Sequence, residues 1–296
     1  MPTLSVDRYL APTSLVQALA ALADDGGATV LAGGTDLMPQ SRAGKVRPAR
    51  TLLNIRRVPG LDAIAVDADD GALSIGSLVT LTALRCHELV RRHAPLVAEA
   101  VDHFASDQIR NAATLGGNLC NASPAGDLAP PLLALDAEVE LASLGDAGAV
   151  RRRRVALAEF FTGPGRSVRA PGELLCAVRL PRPPAGLIAR YYKGGTRPAL
   201  DISPIAIAIA LTRDAATGRV SHVRVALGAV APTPLRARRT EALLEDRVLD
   251  DALAEEAAQC AAGEAQPIDD VRASAWYRRE LVHNLMKRML DDVAHH

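Results

Sequence analysis

Apolar positions near the start of the chain recur first at helical spacing and then as a continuous run. The helical positions are Leu15, Leu19 and Leu22. We expect Thr13 to cap this helix and the polar and glycine residues at 24–27 to end it. Residues 28–32 predict a strand that leads into a double-glycine turn, and residues 51–55 predict a second strand after helix-length sequence. The chain is therefore predicted to open as a β-turn-helix-β unit.

The middle of the chain is predicted to mix helices with strands. Alternating hydrophobic and polar residues at 73–79 predict a strand. Residues 80–92 are predicted to form one helix, and residues 95–104 a second helix that begins at a proline. A short helix at 127–135 and a strand at 137–142 follow.

A proline-rich connector marks the end of this mixed region. The prolines are Pro181, Pro183 and Pro184, and they follow a predicted strand at 173–180. Because composition changes here, we place a domain boundary close by and predict two domains, residues 1–177 and 178–296.

The C-terminal third has a different pattern. Large aliphatic residues alternate with alanines over 205–211, and residues 220–230 predict a second strand, with Thr217-Gly218 in the connection. This pattern predicts an antiparallel hairpin. Three helices, at about 234–243, 250–262 and 273–293, would pack on it.

Composition excludes several classes of function. Lys+Arg and Asp+Glu balance at 34 each, so no positive excess attracts a nucleic acid or an anionic membrane surface. No apolar run is long enough to predict a membrane span or a secretory signal, and a cytoplasmic protein is expected.

The cysteines and one basic run are further candidate sites. The cysteines are Cys86, Cys120, Cys176 and Cys260. Because they form no Cys-x-x-Cys pair, they argue against an iron–sulfur cluster or structural zinc in this chain, and free thiols are expected. The arginines at 151–154 have two interpretations, a solvated strand edge or a docking patch.

Two double-glycine turns carry the candidate chemistry: residues 32–36, Ala-Gly-Gly-Thr-Asp, and residues 114–118, Thr-Leu-Gly-Gly-Asn. Glycines adopt positive φ and allow close approach, so successive N–H groups can form a nest that binds an anion. Two facing nests would hold a pyrophosphate, although each turn taken singly could be an ordinary tight turn. Neither Gly-x-Gly-x-x-Gly nor Gly-x-x-x-x-Gly-Lys-Ser/Thr occurs, so a dinucleotide site here is not of the Rossmann type.

The segments 31–37, LAGGTDL, and 113–119, ATLGGNL, resemble the two FAD loops of the xanthine dehydrogenase and carbon monoxide dehydrogenase flavoproteins. By this resemblance, which spans nearly the whole chain, the protein is identified as a member of the FAD-binding (medium) subunits of molybdenum hydroxylases. The resemblance implies an α+β fold. It would consist of a two-lobed FAD-binding domain of the p-cresol methylhydroxylase (PCMH) and vanillyl-alcohol oxidase type, followed by a C-terminal antiparallel sheet with helices.

The resemblance also implies which residues bind the cofactor. They are the two loops and four further positions: Val30, Leu31, Ala32, Gly33, Gly34, Thr35, Asp36, Leu37, Phe104, Thr114, Leu115, Gly116, Gly117, Asn118, Asp127, Leu175 and Lys193. Phe104 would lie beside the cofactor, with a core aromatic as the alternative. Asp127 would bind cofactor hydroxyl groups, with a helix N-cap as the alternative. Lys193 would line the flavin and stabilise negative charge on it, with a surface lysine as the alternative.

The implied function is electron transfer. FAD would be bound non-covalently, because neither loop offers a His or Cys to tether it. The molybdenum cofactor and [2Fe-2S] clusters are expected in a large and a small partner subunit, in a dimer of heterotrimers. This chain would pass electrons from the [2Fe-2S] subunit to NAD, oxygen, a quinone or a carrier protein. A self-sufficient FAD-dependent oxidoreductase and a non-catalytic nucleotide-binding protein are the alternatives.

Overall fold

The N-terminal part of the chain forms a small parallel sheet with two helices. A computed structural model describes residues 6–24, 27–145, 148–197 and 200–295. Its first elements are β1 Arg8–Leu10, α1 Leu15–Asp24, β2 Thr29–Leu31, α2 Leu37–Arg42 and β3 Thr51–Asn54. The strands are parallel in the order β1-β3-β2, so the predicted β-turn-helix-β opening is confirmed.

Helix α1 is capped by Ser14, so the predicted cap at Thr13 is wrong. The Gln17 N–H donates to Ser14 Oγ over 3.2 Å, while the Thr13 N–H donates to Gln17 Oε1 over 3.0 Å. The serine therefore satisfies a free N–H of the first turn, and the threonine is one residue outside it. Residues 25–26 of the predicted helix end lie outside the described residues.

A five-stranded antiparallel sheet forms the second lobe. Its strands are β4 Ile64–Val66, β5 Leu73–Gly76, β6 Glu138–Leu144, β7 Val150–Ala156 and β10 Leu174–Leu180; β8 Phe161–Gly163 and β9 Arg166–Ser167 form a separate ribbon. The order β4-β5-β10-β6-β7 makes β7 an edge strand, and arginines 151–154 are exposed on it. The boundary predicted between residues 177 and 178 falls within β10 and stays a prediction.

In the described ranges, seven short helices connect these strands. They are α3 Leu81–Cys86, α4 Glu88–His93, α5 Pro95–Asp102, α6 Asp107–Arg110, α7 Leu115–Asn121, α8 Ala129–Ala134 and α9 Leu157–Phe160. The prediction of one helix over 80–92 is wrong, because His87 adopts an extended conformation (φ −71°, ψ 128°). Its Nδ1 accepts from the Leu89 N–H over 3.3 Å, so the extended backbone of His87 ends α3 and its side chain caps α4.

The C-terminal part is an antiparallel sheet with three helices. Its elements are β11 Ile188–Gly194, β12 Ile205–Arg213, β13 Val220–Gly228, β14 Leu235–Arg236, α10 Arg238–Leu244, α11 Asp251–Glu264 and α12 Ala275–His295. The predicted hairpin is β12–β13, and β11 and β14 extend it on either side. Within the described ranges, no helix has both the length and the hydropathy needed to cross a bilayer.

The alternation along β12 separates two cores. Ile205, Ile207 and Ile209 are buried in a core with α11 and α12. Ala206 and Ala208 face the other way and share a core with helices of the first domain. Because alternate side chains of a strand point to opposite faces, the two faces of this sheet pack against different cores, one in each part of the molecule.

A buried ion network also joins the two parts. Arg236, with a side chain 3% exposed, donates to Asp136 over 2.6 Å, to the Leu133 carbonyl over 3.1 Å and to Glu241 over 2.5 and 3.0 Å. Arg224 donates to the second oxygen of Asp136 over 2.6 Å. Burial opposes ionisation of Asp136, but the hydrogen bonds from both arginines outweigh it and hold the pKa of Asp136 below its usual value.

Arg236→Met is expected to destabilise the protein by about 3–5 kcal/mol, because Glu241, with a side chain 8% exposed, loses its buried partner and keeps the exposed Arg238. Urea unfolding measures the loss. Arg238→Met is the matched control, since Arg238 binds the same Glu241 from a side chain 62% exposed, and should cost less than about 1 kcal/mol. Equal losses for the two variants would contradict this account of the network.

Candidate functional site

A cavity of about 680 Å³ lies where the two double-glycine turns meet β10 and a loop of the C-terminal domain. Its volume is in the range of small-molecule and cofactor sites. Among the predicted residues, all but Leu115 and Lys193 line it. Leu115 is fully buried behind the second turn, and Lys193 lies behind Asp127. The structure therefore brings the two turns, Phe104, Asp127 and Leu175 to one cavity.

The first turn, between β2 and α2, lies close to the backbone of the residues that precede the second turn. A Cβ on Gly33 would lie 2.0 Å from the Ala112 carbonyl oxygen, so only glycine fits there. Gly34 has φ +71°, as predicted for a nest. The N–H groups of Gly33, Gly34 and Thr35 donate to no acceptor within the described part of the chain. Three N–H groups are therefore available to an anion at this turn.

The second turn differs, and the prediction that it forms a nest at positive φ is wrong. Residues 115–121 form α7, and Thr114 Oγ1 caps it by accepting from the Gly117 N–H over 3.1 Å. The Leu115 and Gly116 N–H groups donate to the Val79 and Ser77 carbonyls over 3.0 and 2.9 Å. These N–H groups are therefore occupied by protein acceptors. Gly116 is still required, since its Cβ would lie 2.6 Å from that of Ser77.

Three residues of the cavity wall each carry a buried polar atom that has no hydrogen-bond partner among the described residues. The atoms are Ser77 Oγ, Asn118 Oδ1 and Asp127 Oδ1. A buried polar group left unsatisfied costs about 1–3 kcal/mol, so each needs a partner that the described residues do not supply. Together with the free N–H groups of the first turn, they fit a polar, anionic dinucleotide such as FAD.

Asp127 does not cap a helix, because α8 begins after Leu128 and receives no side-chain cap. Its Oδ2 accepts from Lys193 Nζ over 2.8 Å, and the Lys193 side chain is only 7% exposed. The alternatives of an N-cap and a surface lysine are therefore wrong. Burial raises the pKa of Asp127, and the charge and hydrogen bond of Lys193 oppose that rise.

Several wall residues were not anticipated from the sequence. They include Ser77, Cys120, Ser123, Arg169, Leu200, Asp201 and Ile202. Arg169 is the only cation among the described residues that line the cavity, and its Nη1 donates to the Glu173 carbonyl over 2.7 Å. In the sequence, Arg169 is recognisable only as a charged residue shortly before the strand β10. No spacing rule connects it to the glycine turns.

Gly33→Ala is expected to weaken flavin binding about tenfold or more, because the new Cβ forces the first turn away from residue 112 at an overpacking cost of about 1–3 kcal/mol. Quenching of flavin fluorescence measures affinity, and circular dichroism checks folding. Gly172→Ala is the control, since its Cβ would meet no atom within 4 Å. Wild-type affinity in folded Gly33→Ala protein would show that this contact does not shape the site.

Comparison with known proteins agrees with this geometry. The family model described as "FAD binding domain in molybdopterin dehydrogenase" matches residues 4–183. A second, described as "CO dehydrogenase flavoprotein C-terminal domain", matches residues 190–293. The two models match the two parts of the fold, and the predicted α+β architecture is confirmed.

Individual relatives cover nearly the whole chain. The xanthine dehydrogenase FAD-binding subunit of Escherichia coli O157:H7 is 33% identical over 96% of this chain and 94% of its own. The nicotine 6-hydroxylase medium subunit of Paenarthrobacter nicotinovorans is 31% identical over 96% of this chain and 95% of its own. The solved carbon monoxide dehydrogenase of Hydrogenophaga pseudoflava aligns with a TM-score of 0.88 at 31% identity, over 96% of this chain and 95% of that one. The chain therefore belongs to the FAD-binding subunits of the molybdopterin dehydrogenases, the family of the xanthine and carbon monoxide dehydrogenase flavoproteins.

Proposed function

We propose that this subunit takes electrons from a [2Fe-2S] partner subunit and passes them, through non-covalently bound FAD, to an external acceptor. The main support is the cavity, because its wall combines free N–H groups with residues whose buried polar atoms lack a partner. Relatives named as FAD-binding or medium subunits of dehydrogenases support the role in a larger complex.

The cofactor-binding residues that we propose follow from the geometry of the wall. The first turn, residues 32–36, binds the pyrophosphate, since its N–H groups are free. The second turn contributes close backbone packing and the Asn118 side chain rather than N–H groups. Asp127 accepts from a donor of the cofactor, and Phe104 and Leu175 pack against it and exclude water. Leu115 and Lys193 support the site from behind.

Bound FAD supplies a ring that accepts electrons and releases them one or two at a time. The residues of this chain bind that ring, orient it and shield it from solvent. We propose that a large molybdenum cofactor subunit and a small [2Fe-2S] subunit complete the enzyme, as a dimer of heterotrimers. The solved carbon monoxide dehydrogenase of Hydrogenophaga pseudoflava is a molybdenum enzyme, in a form that lacks the Mo-pyranopterin moiety of its molybdenum cofactor, and it supports this assignment.

The purified chain is expected to be yellow, and acid precipitation should release all its flavin as FAD. The reason is that the cavity has the volume of a cofactor site and its two glycine turns carry no His or Cys. Cys120 also lines the cavity, but burial raises the pKa of its thiol and so disfavours the reactive thiolate. Absorbance of supernatant and pellet, with chromatography of the released flavin, measures the outcome. Colour retained in the pellet, or release of FMN, would contradict the proposed binding mode.

The flavin of the isolated chain should be reduced by dithionite but not by the substrate of the complex, because substrate oxidation is assigned to the large subunit. Adding both partner subunits should restore reduction by substrate. Absorbance at the flavin maximum under anaerobic conditions follows both reactions. Direct reduction of the isolated chain by substrate would favour a self-sufficient oxidoreductase instead.

A further inference from the structure

Exposed apolar side chains are concentrated around the start of helix α12. In the described part of the chain eleven large hydrophobic residues are exposed, and four of them fall within residues 268–277. These four, which we call the apolar platform, are Ile268, Val271, Trp276 and Tyr277, exposed by 66%, 100%, 68% and 48%. Trp276 is the only tryptophan of the chain. Concentrated exposed apolar side chains mark interaction surfaces, and Trp and Tyr are enriched among the residues that dominate binding energy.

Hydrogen bonds hold the backbone of the platform in a defined conformation. Asp269 Oδ1 accepts from the Ala275 N–H over 2.5 Å, which brings the two ends of the segment together. Asp270 Oδ1 accepts from the N–H groups of Arg272 and Ala273 over 2.8 and 3.2 Å. Because the segment is already ordered, a partner that binds it does not have to immobilise a loop first.

A buried arginine connects the platform to the wall of the cofactor cavity. Arg278 follows the platform directly, and its side chain is 6% exposed. Its Nη1 donates to the Ala229 carbonyl over 2.8 Å, and its Nη2 donates to Asp270 over 2.7 Å. The Ala229 N–H in turn donates to the Pro124 carbonyl over 2.8 Å. The residues on both sides of Pro124 line the cavity. Two hydrogen bonds therefore link the start of α12 to the cavity wall.

The position and charge of the platform indicate the kind of partner. Electron transfer between protein-bound groups slows steeply with distance, so a subunit that reduces the flavin has to dock beside the cofactor cavity. The exposed charged residues of the segment and the next turn are Asp269, Asp270, Arg272, Arg279 and Glu280. Because both signs are interspersed, apolar contact rather than a net charge would hold the partner.

We propose that the apolar platform is the docking surface for the [2Fe-2S] partner subunit, with Trp276 as the side chain that contributes most to the interface. The inference rests on the proposed function and adds where on this chain the electron donor binds. The partner is expected to present an apolar pocket that buries Trp276, on the side of the cavity formed by the segment around Pro124.

Photo-crosslinking in the assembled enzyme identifies what covers the platform. Benzoylphenylalanine is incorporated in place of Trp276, the complex is purified with both partner subunits, and mass spectrometry identifies the crosslinked peptides. The product should join this chain to the [2Fe-2S] subunit. A product with the large subunit, or with a second copy of this chain, would overturn the proposal.

Trp276→Glu tests the contribution of this side chain. Trp276 is the second residue of α12, where a negative charge is favourable, so the variant should fold. The concentration of [2Fe-2S] subunit that gives half-maximal flavin reduction should rise by about thirtyfold or more. The rate at saturation and the FAD content should not change, because Trp276 does not line the cavity. Titrating the [2Fe-2S] subunit into this chain and the large subunit, with substrate present, measures both quantities.

A slower rate at saturation with unchanged half-saturation would contradict a docking role for Trp276. Val16→Glu is the matched control, since Val16 is the second residue of α1 and is 47% exposed. The two helices also have the same cap: Ser14 Oγ accepts from the Gln17 N–H as Ser274 Oγ accepts from the Tyr277 N–H. Half-saturation in Val16→Glu should stay at the wild-type value. Equal increases in the two variants would overturn the proposal.

Val271→Asp is a second variant that cannot disturb packing, because the Val271 side chain is fully exposed. It should raise half-saturation by about fivefold or more, since docking would bury the new charge. Circular dichroism and thermal unfolding check that each variant is folded. Wild-type half-saturation in both Val271→Asp and Trp276→Glu would overturn the proposal. A wild-type complex whose flavin is not reduced through the [2Fe-2S] subunit would instead reject the proposed function itself.

Discussion

The cofactor site depends on close backbone contacts between chain segments, at positions where a glycine leaves no side chain between them. Gly33 lies against the Ala112 carbonyl and Gly116 against Ser77, and a Cβ at either glycine would overlap its neighbour. These contacts bring the turn after β2 and the start of α7 together, and the cavity is the space they enclose. Close approach, rather than positive φ, is what Gly33 and Gly116 provide, since among the four loop glycines only Gly34 has positive φ.

The C-terminal sheet completes the site because its two faces contribute side chains to two different hydrophobic cores. The isoleucines of β12 pack against its own helices, and the alanines let the first domain approach closely. Gly228 of β13 continues this close contact, since a Cβ there would lie 2.8 Å from Pro130. With the sheet held in this way, β11 can present Lys193 to Asp127, and residues 200–202 can line the cavity.

The electrostatics of the cavity follow from this assembly. The charged residues on its described wall are Asp36, Asp127, Arg169 and Asp201, so carboxylates outnumber the single cation. An anionic ligand must therefore be bound largely by neutral donors, and the free N–H groups of the first turn supply them. The charge of Asp127 is balanced from outside the cavity by Lys193.

Local pattern in the sequence predicted the features that depend on neighbouring residues. Helical spacing predicted α1, alternation predicted the β12–β13 hairpin, and two short motifs located the turns that line the cavity. The same motifs did not distinguish the turns, because the acceptors of the second turn, Ser77 and Val79, come from a distant segment. Only the tertiary structure decided which N–H groups stay free, that His87 divides a helix, and that Lys193 binds Asp127. Each of these features depends on local geometry or on contacts that hydrophobic periodicity does not encode. Several of those contacts join residues that are far apart in the chain.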